Sequence, residues 1–124
     1  MGYYKDLIAF RKAYQLAIEI HGLTKTFPSD AYSLVNQIRR SSRSVCANIA
    51  EAYRRRYYKA YYLSKLLDCS AENSETQVWL DFSKDFGYLP SDVYARLSNL
   101  NDEIGKLLWY MHSHPEKFIS KNLK

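Results

Sequence analysis

Glycine and proline are scarce in this chain, with 4 and 3 copies among 124 residues, and neither occurs between Pro28 and Gly87. Such scarcity excludes an architecture of many short strands, which needs turn residues at close spacing. Short β-branched runs alternating with polar residues are missing too, so no strands are expected. Cysteine is limited to Cys46 and Cys69. They lack the C-x-x-C spacing of a zinc or redox site, fall in helical patterns, and are expected as free buried thiols. No apolar run approaches the length that crosses a bilayer, and no charged-then-apolar leader opens the chain. A cytoplasmic protein with no membrane partner is therefore expected. What remains is ordinary globular composition, 47% hydrophobic and 25% charged, sufficient for one domain and too short for two.

The patterns that are present are helical. A first helix is predicted from about Tyr4 to Thr26, with Leu7, Phe10, Tyr14, Ala17, Ile18 and His21 along one side and Gly22 interrupting it at some cost. Phe27-Pro28-Ser29-Asp30 ends it, and Ser29 or Asp30 can cap the next helix. There Ile38, Val45 and Ile49 recur at helical spacing, and Ser41, Ser42, Ala47 and Ala52 are small enough to admit a neighbouring helix. As a single helix, the residues between Pro28 and Gly87 would extend about 85 Å, too long for one small domain. A break is predicted between Tyr53 and Lys59, where the apolar stripe ends and Arg54-Arg55-Arg56 crowd like charges. A third helix follows from about Tyr58 to Phe86. A fourth starts after Pro90 with Ser91 as its N-cap, carries Val93, Leu97, Leu100, Ile104, Leu107, Leu108 and Met111, and stops before His114-Pro115. The expected fold is all-α: an antiparallel up-down-up-down four-helix bundle over residues 1–113, with a loose, polar, basic tail over 114–124.

Asn48 and Glu51 are three apart and share a helix face bordering the apolar stripe. A buried amide and carboxylate are costly unless hydrogen-bonded. Together with Ser70 and Asn73 they predict a structural polar network that fixes helix register. The wider set, with Gln37, Glu75 and Gln77, contains no Glu-x-x-His pair, and His21, His112 and His114 are not placed to join Glu51. No metal or cofactor is expected. Ser41, Ser42 and Ser44 stand beside no base, so an enzyme is not expected either. His112 and His114 are predicted as surface groups at a helix C-terminus, and Trp79 and Trp109 in the core or at a subunit seam.

From Arg39 to Lys65 the chain carries eight cations against Glu51 alone, a local excess of +7 within a chain of net charge +5. Tyr53, Tyr57, Tyr58, Tyr61 and Tyr62 interleave with them. Cations beside aromatic rings match single-stranded nucleic acid, where phosphates pair with arginine and bases stack on rings. The predicted contacts to RNA or DNA are Arg39, Arg40, Arg43, Arg54, Arg55, Arg56, Tyr57, Lys59 and Tyr61. Two other readings suit the same residues. One is a solvated face with tyrosines between subunits. The other is a protein-interaction scaffold whose arginines steer an acidic protein partner and whose tyrosines are hot spots.

Several segments carry a family resemblance. They are Tyr4 to Phe10 with Arg11-Lys12-Ala13-Tyr14, Leu23 to Pro28, Gln37-Ile38-Arg39-Arg40-Ser41-Ser42, and Asn48-Ile49-Ala50-Glu51. Ser70, Glu75-Thr76-Gln77 and Asp85-Phe86-Gly87-Tyr88-Leu89 continue it. Over roughly Tyr4 to Met111 the chain resembles the family of the protein encoded in intervening sequences of bacterial large-subunit ribosomal RNA. It departs from the pattern at Ala52 and Cys69, where glycine is usual, and at Asn73, where glutamate is usual; these changes bear on the connection between helices two and three and not on the fold. The resemblance implies a left-handed four-helix bundle, a homopentameric ring, and a basic surface for nucleic acid. Relatives in diversity-generating retroelements assist a reverse transcriptase, which implies an alternative role as accessory subunit of a nucleic-acid enzyme. Five copies in a ring would also multiply the basic patch and its attraction for phosphate. The resulting expectation is a non-enzymatic, oligomeric RNA- or DNA-binding protein.

Overall fold

A computed structural model describes residues 3–119. Among them are four long helices and no strand: α1 (Ile8–Thr24), α2 (Tyr32–Arg54), α3 (Lys59–Asp85) and α4 (Ser91–Ser113). Short 3-10 turns occur at Tyr4–Asp6, Ser29–Ala31 and Pro115–Lys117. The main contacts run from α1 to α2, α2 to α3, α3 to α4 and α4 back to α1. No helix of the described residues is long and apolar enough to cross a membrane.

The core face of α1 is not the predicted stripe. Ala9, Ala13, Leu16, Ala17, Ile20 and Thr24 are buried, whereas Tyr14 and Ile18 are 54% and 58% exposed. Of the predicted stripe, only Ala17 is buried. Alanines on the inward face permit close helix approach, and hydrophobicity alone ranks them below the bulkier outward residues. α1 therefore carries two apolar stripes, one inside and one outside. It starts at Ile8 rather than Tyr4 and runs straight through Gly22.

α2 buries Ile38, Val45 and Ile49 as its periodicity predicts, with Ser41, Ser42 and Ala52 beside them. The small hydroxyl of Ser41 accepts a 2.9 Å hydrogen bond from Thr76 Oγ1 of α3, so both buried polar groups are satisfied. The break falls where expected, after Arg54, and α3 begins at Lys59. Arg56 supplies the reason. Its Nη1 donates to the Tyr53 carbonyl at 2.9 Å, one of the carbonyls a helix end leaves without an intrahelical partner. A cation there also complements the negative end of the helix dipole.

α3 ends differently. Tyr88 N–H donates to the Ser83 carbonyl and Gly87 N–H to that of Lys84, at 2.8 and 2.9 Å. Gly87 sits at φ 81, the left-handed conformation this termination requires and glycine tolerates best. The predicted serine and aspartate caps are not formed. Ala31 flanks α2 and Pro90 flanks α4, neither with a side-chain cap, and Ser91 is already helical. The tail is also less loose than expected within the described residues. The turn at Pro115 brings Phe118 and Ile119 onto the core cluster, and residues 120–124 of the predicted tail lie outside the described residues. Trp109 is 66% exposed, outside the core. Trp79 is half-buried, with Nε1 donating to Glu75 at 3.4 Å.

Candidate nucleic-acid interface

The α2–α3 connection gathers Arg54, Arg55, Tyr57 and Lys59 on the surface. Among the described residues none of the three cations has a carboxylate partner. The Arg55 guanidinium lies 5.2 Å from the Tyr61 ring centroid, and Tyr57 and Tyr58 are 40% and 68% exposed. Exposed cations and ring faces therefore share one end of α2.

Arg56 must be removed from the predicted contact set. It is only 6% exposed. Its guanidinium lies 4.2 Å from the Tyr53 ring centroid and 4.8 Å from that of Tyr57. Cation–π contact and the bond to the Tyr53 carbonyl pull it inward, so the residue ends a helix instead of presenting charge to solvent. Tyr62 beneath it is fully buried, and desolvation pushes its phenol pKa up.

The cations of α2 divide by what α1 and α3 offer them. Arg40 is held by Glu72 and Glu75 of α3. Its hydrogen bond to Glu72 is the main cause raising the arginine's pKa and lowering the carboxylate's. That charge is compensated and unavailable to phosphate. Arg39 is half-buried, with Nε donating to Thr24 Oγ1 at 2.8 Å and Nη2 to the His21 carbonyl at 3.3 Å, which ties α2 to α1. Arg43 remains exposed, its Nε donating to the Arg39 carbonyl at 3.0 Å. Tyr61 is committed as well, its hydroxyl donating to Glu51 at 2.6 Å.

The predicted polar network is not one network. Asn48 donates to Ser44 within α2 at 3.1 Å. Glu51 points outward to Tyr61 and to Lys65, 3.5 Å away. The Tyr61 hydroxyl is the first cause holding the Glu51 carboxyl below its usual range. Ser70 is half-buried and makes no side-chain hydrogen bond among the described residues. Glu51 thus joins α2 to α3 at the surface, whereas Asn73 belongs to a more buried network between α3 and α4, and its partner is the buried Asn101 of α4. Asn73 Nδ2 donates to Asn101 Oδ1 at 2.8 Å, and Asn101 Nδ2 donates to the Asn73 carbonyl at 3.1 Å and to Gln77 Oε1 at 3.2 Å. Gln77 passes the chain on to Ser98 at 3.0 Å. Gly105 makes room for it: a Cβ there would lie 2.8 Å from Asn73 Oδ1. Asn101 could have been found from its spacing, since it falls between Leu97 and Ile104 on the apolar stripe of α4.

The outward stripe of α1 faces α2 across an open groove of about 580 Å³. Phe10, Tyr14 and Ile18 line one wall and Arg43, Ala47 and Ala50 the other. Among the described residues no group of three or more His, Cys, Asp or Glu side chains is placed to hold a metal ion. Cys46 and Cys69 are free and buried, and desolvation raises their pKa values to about 11 and about 12.

Residues 5–110 match the profile of the 23S rRNA-intervening sequence protein family. A crystal structure from Bacteroides thetaiotaomicron, described as a protein with unknown function from the S23 ribosomal protein family, is similar at a TM-score of 0.78 and 29% identity. The similarity covers 85% of this chain and 98% of that one. No curated protein matches.

Proposed function

Because the chain belongs to the 23S rRNA-intervening sequence protein family, we propose that it is a non-enzymatic, self-associating cytoplasmic protein that binds RNA or DNA backbone through the α2–α3 connection. The observation that carries this reading is the uncompensated charge of Arg54, Arg55 and Lys59. Arg11, Lys12, Arg40, Lys65, Arg96 and Lys106 each have a carboxylate within ion-pair distance, and these three have none among the described residues. Unpaired arginines beside exposed tyrosine rings are suited to phosphates, whose contacts are largely independent of sequence and weaken steeply with salt.

The assembly belongs to the same reading. Glu51 meets Tyr61 while Ser41 meets Thr76, an antiparallel pairing of α2 and α3 that the up-down-up-down, left-handed bundle of this reading requires. Ile8, Leu67, Val78 and Trp109 are large apolar residues left exposed, which supports burial between copies in a homopentameric ring. Repetition around such a ring would concentrate the basic ends.

Fluorescence anisotropy over a salt series tests the binding. The double change Arg54→Ala, Arg55→Ala is expected to weaken affinity for every sequence alike and to flatten the salt slope, since fewer counterions are released. Light scattering after gel filtration gives the assembled mass. If the parent binds neither RNA nor DNA at low salt, the scaffold or accessory-subunit reading replaces this one.

A further inference from the structure

The α1–α2 groove is open and lined mostly by apolar side chains, and Arg54 of the basic end shares its α2 face. Arg43, Ala47, Ala50 and Arg54 follow one another at spacings of four, three and four residues, which places them on one face of α2. The first three line the groove. At 1.5 Å per residue, Arg43 and Arg54 stand about 16 Å apart along the helix. Between them the α2 wall is made of small side chains, Cys46, Ala47 and Ala50. Across from that wall Phe10 and Tyr14 stack with ring centroids 6.0 Å apart and planes 28° from parallel.

We infer that this groove holds the unpaired bases of a single-stranded nucleic acid, with the backbone anchored on Arg43 at one end and on Arg54 at the other. The inference rests on the nucleic-acid reading above and assigns a strandedness and a second surface to it. Three observations favour a polynucleotide over another occupant. The lining contains Arg43 and His21 and no carboxylate, so the rim disfavours a cationic partner and attracts an anionic one. The charge of Arg39 above all, then desolvation and the charges of Lys25 and Arg43, lowers the pKa of His21, in keeping with the cations gathered at this end of the groove. Arg54 of the connection lies one turn beyond Ala50 on the same face of α2, so the exposed cations stand at the other end of the groove. Flat rings beside a smooth alanine wall give bases a stacking surface without selecting among them, because every base has a π-face. A duplex cannot use it, since its bases are already paired and stacked inward.

The test compares three probes with the same phosphate count at one salt concentration: a fluorescent single strand, the same strand lacking its bases, and a duplex. Tyr14→Ala and Ala47→Glu are read against the parent. Both positions are exposed, and circular dichroism melts confirm that each variant folds. The parent is expected to prefer the single strand, and Tyr14→Ala to reduce that binding roughly tenfold, the order expected for one stacked base. Ala47→Glu should abolish the preference by placing a carboxylate in the groove. Tyr14→Ala should leave binding to the baseless strand unchanged, because that probe has nothing to stack, whereas Ala47→Glu, one turn from the Arg43 anchor, should weaken that probe as well. Equal affinity for all three probes, with variants like the parent and Arg54→Ala, Arg55→Ala still defective, would overturn the groove and leave phosphate binding standing. No binding by the parent would remove both. A fall in assembled mass for either variant would show that another copy of the chain covers the groove, and would likewise overturn the inference.

Discussion

Gly105→Ala should destabilise this protein although it removes a glycine from the middle of a helix. In an ordinary helix interior the change stabilises by about 1 kcal/mol, through backbone entropy and propensity. Here the new methyl would sit 2.8 Å from Asn73 Oδ1, and the Asn73 side chain is not free to move aside. Its Nδ2 is bound to both the carbonyl and the side-chain oxygen of Asn101, at 3.1 and 2.8 Å. Displacing it sacrifices one or two hydrogen bonds of about 1 kcal/mol each and leaves a buried acceptor short of a partner, at roughly 1–3 kcal/mol. The loss outweighs the gain, for a net destabilisation of about 1–2 kcal/mol. Asn73→Ala removes the obstructing atom, and in that background Gly105→Ala should recover its usual stabilisation of about 1 kcal/mol. The sign of the effect should therefore reverse between backgrounds, a coupling of about 2–3 kcal/mol in a double-mutant cycle. Urea unfolding of the four proteins at one protein concentration measures it, since self-association shifts apparent stability. If Gly105→Ala stabilises the parent as well, the close approach does not constrain α4 and the account of this network fails.

Arg56→Ala should cost about 2 kcal/mol, from two ring contacts and a capping hydrogen bond, while nucleic-acid affinity changes less than for Arg54→Ala; thermal melts paired with anisotropy separate the two roles. The Glu72 carboxyl is held below the usual glutamate range chiefly by its bond to Arg40. Its contribution to stability is thus present above the ordinary value of about 4.3 and lost as pH falls through the folded value. A carboxyl titration followed by NMR should show Glu72 titrating higher in Arg40→Gln than in the parent, and an unchanged titration would break the assigned pair. The two thiols, raised to about 11 and about 12 by burial, should be silent towards a disulfide reagent at about pH 8 in the native protein and react once urea unfolds it; rapid native reaction would mean that α2 and α3 open locally.

What can be seen in the sequence is what operates within a few residues along the chain. The helices, the break after Arg54 and the inward stripes of α2 and α4 follow from periodicity and the placement of a few turn residues. The buried thiols follow from their positions in those patterns. The family resemblance was visible on the same short segments. The interface was legible only in part. Arg54, Arg55, Tyr57 and Lys59 were found because they lie next to one another. Which charges remain available was not, because Arg40 meets carboxylates 32 and 35 residues away and the inward turn of Arg56 depends on two tyrosines closing around it.

α1 makes the division clearest. Its sequence allows two apolar faces, one bearing Phe10, Tyr14 and Ile18 and the other bearing Leu16 and Ile20 among alanines. Packing chose the alanine face, because close contact with neighbouring helices depends on small side chains as well as on apolar ones. The rejected face became the groove. In the same way Asn101 is one polar residue in an apolar stripe until α3 places Asn73 and Gln77 opposite it. The sequence by itself determined how many helices there are and the short segments in which they break, since those depend on periodicity and local backbone chemistry. Only the tertiary structure decided which faces meet and which charges stay unpaired, since those depend on groups that folding brings together from distant parts of the chain.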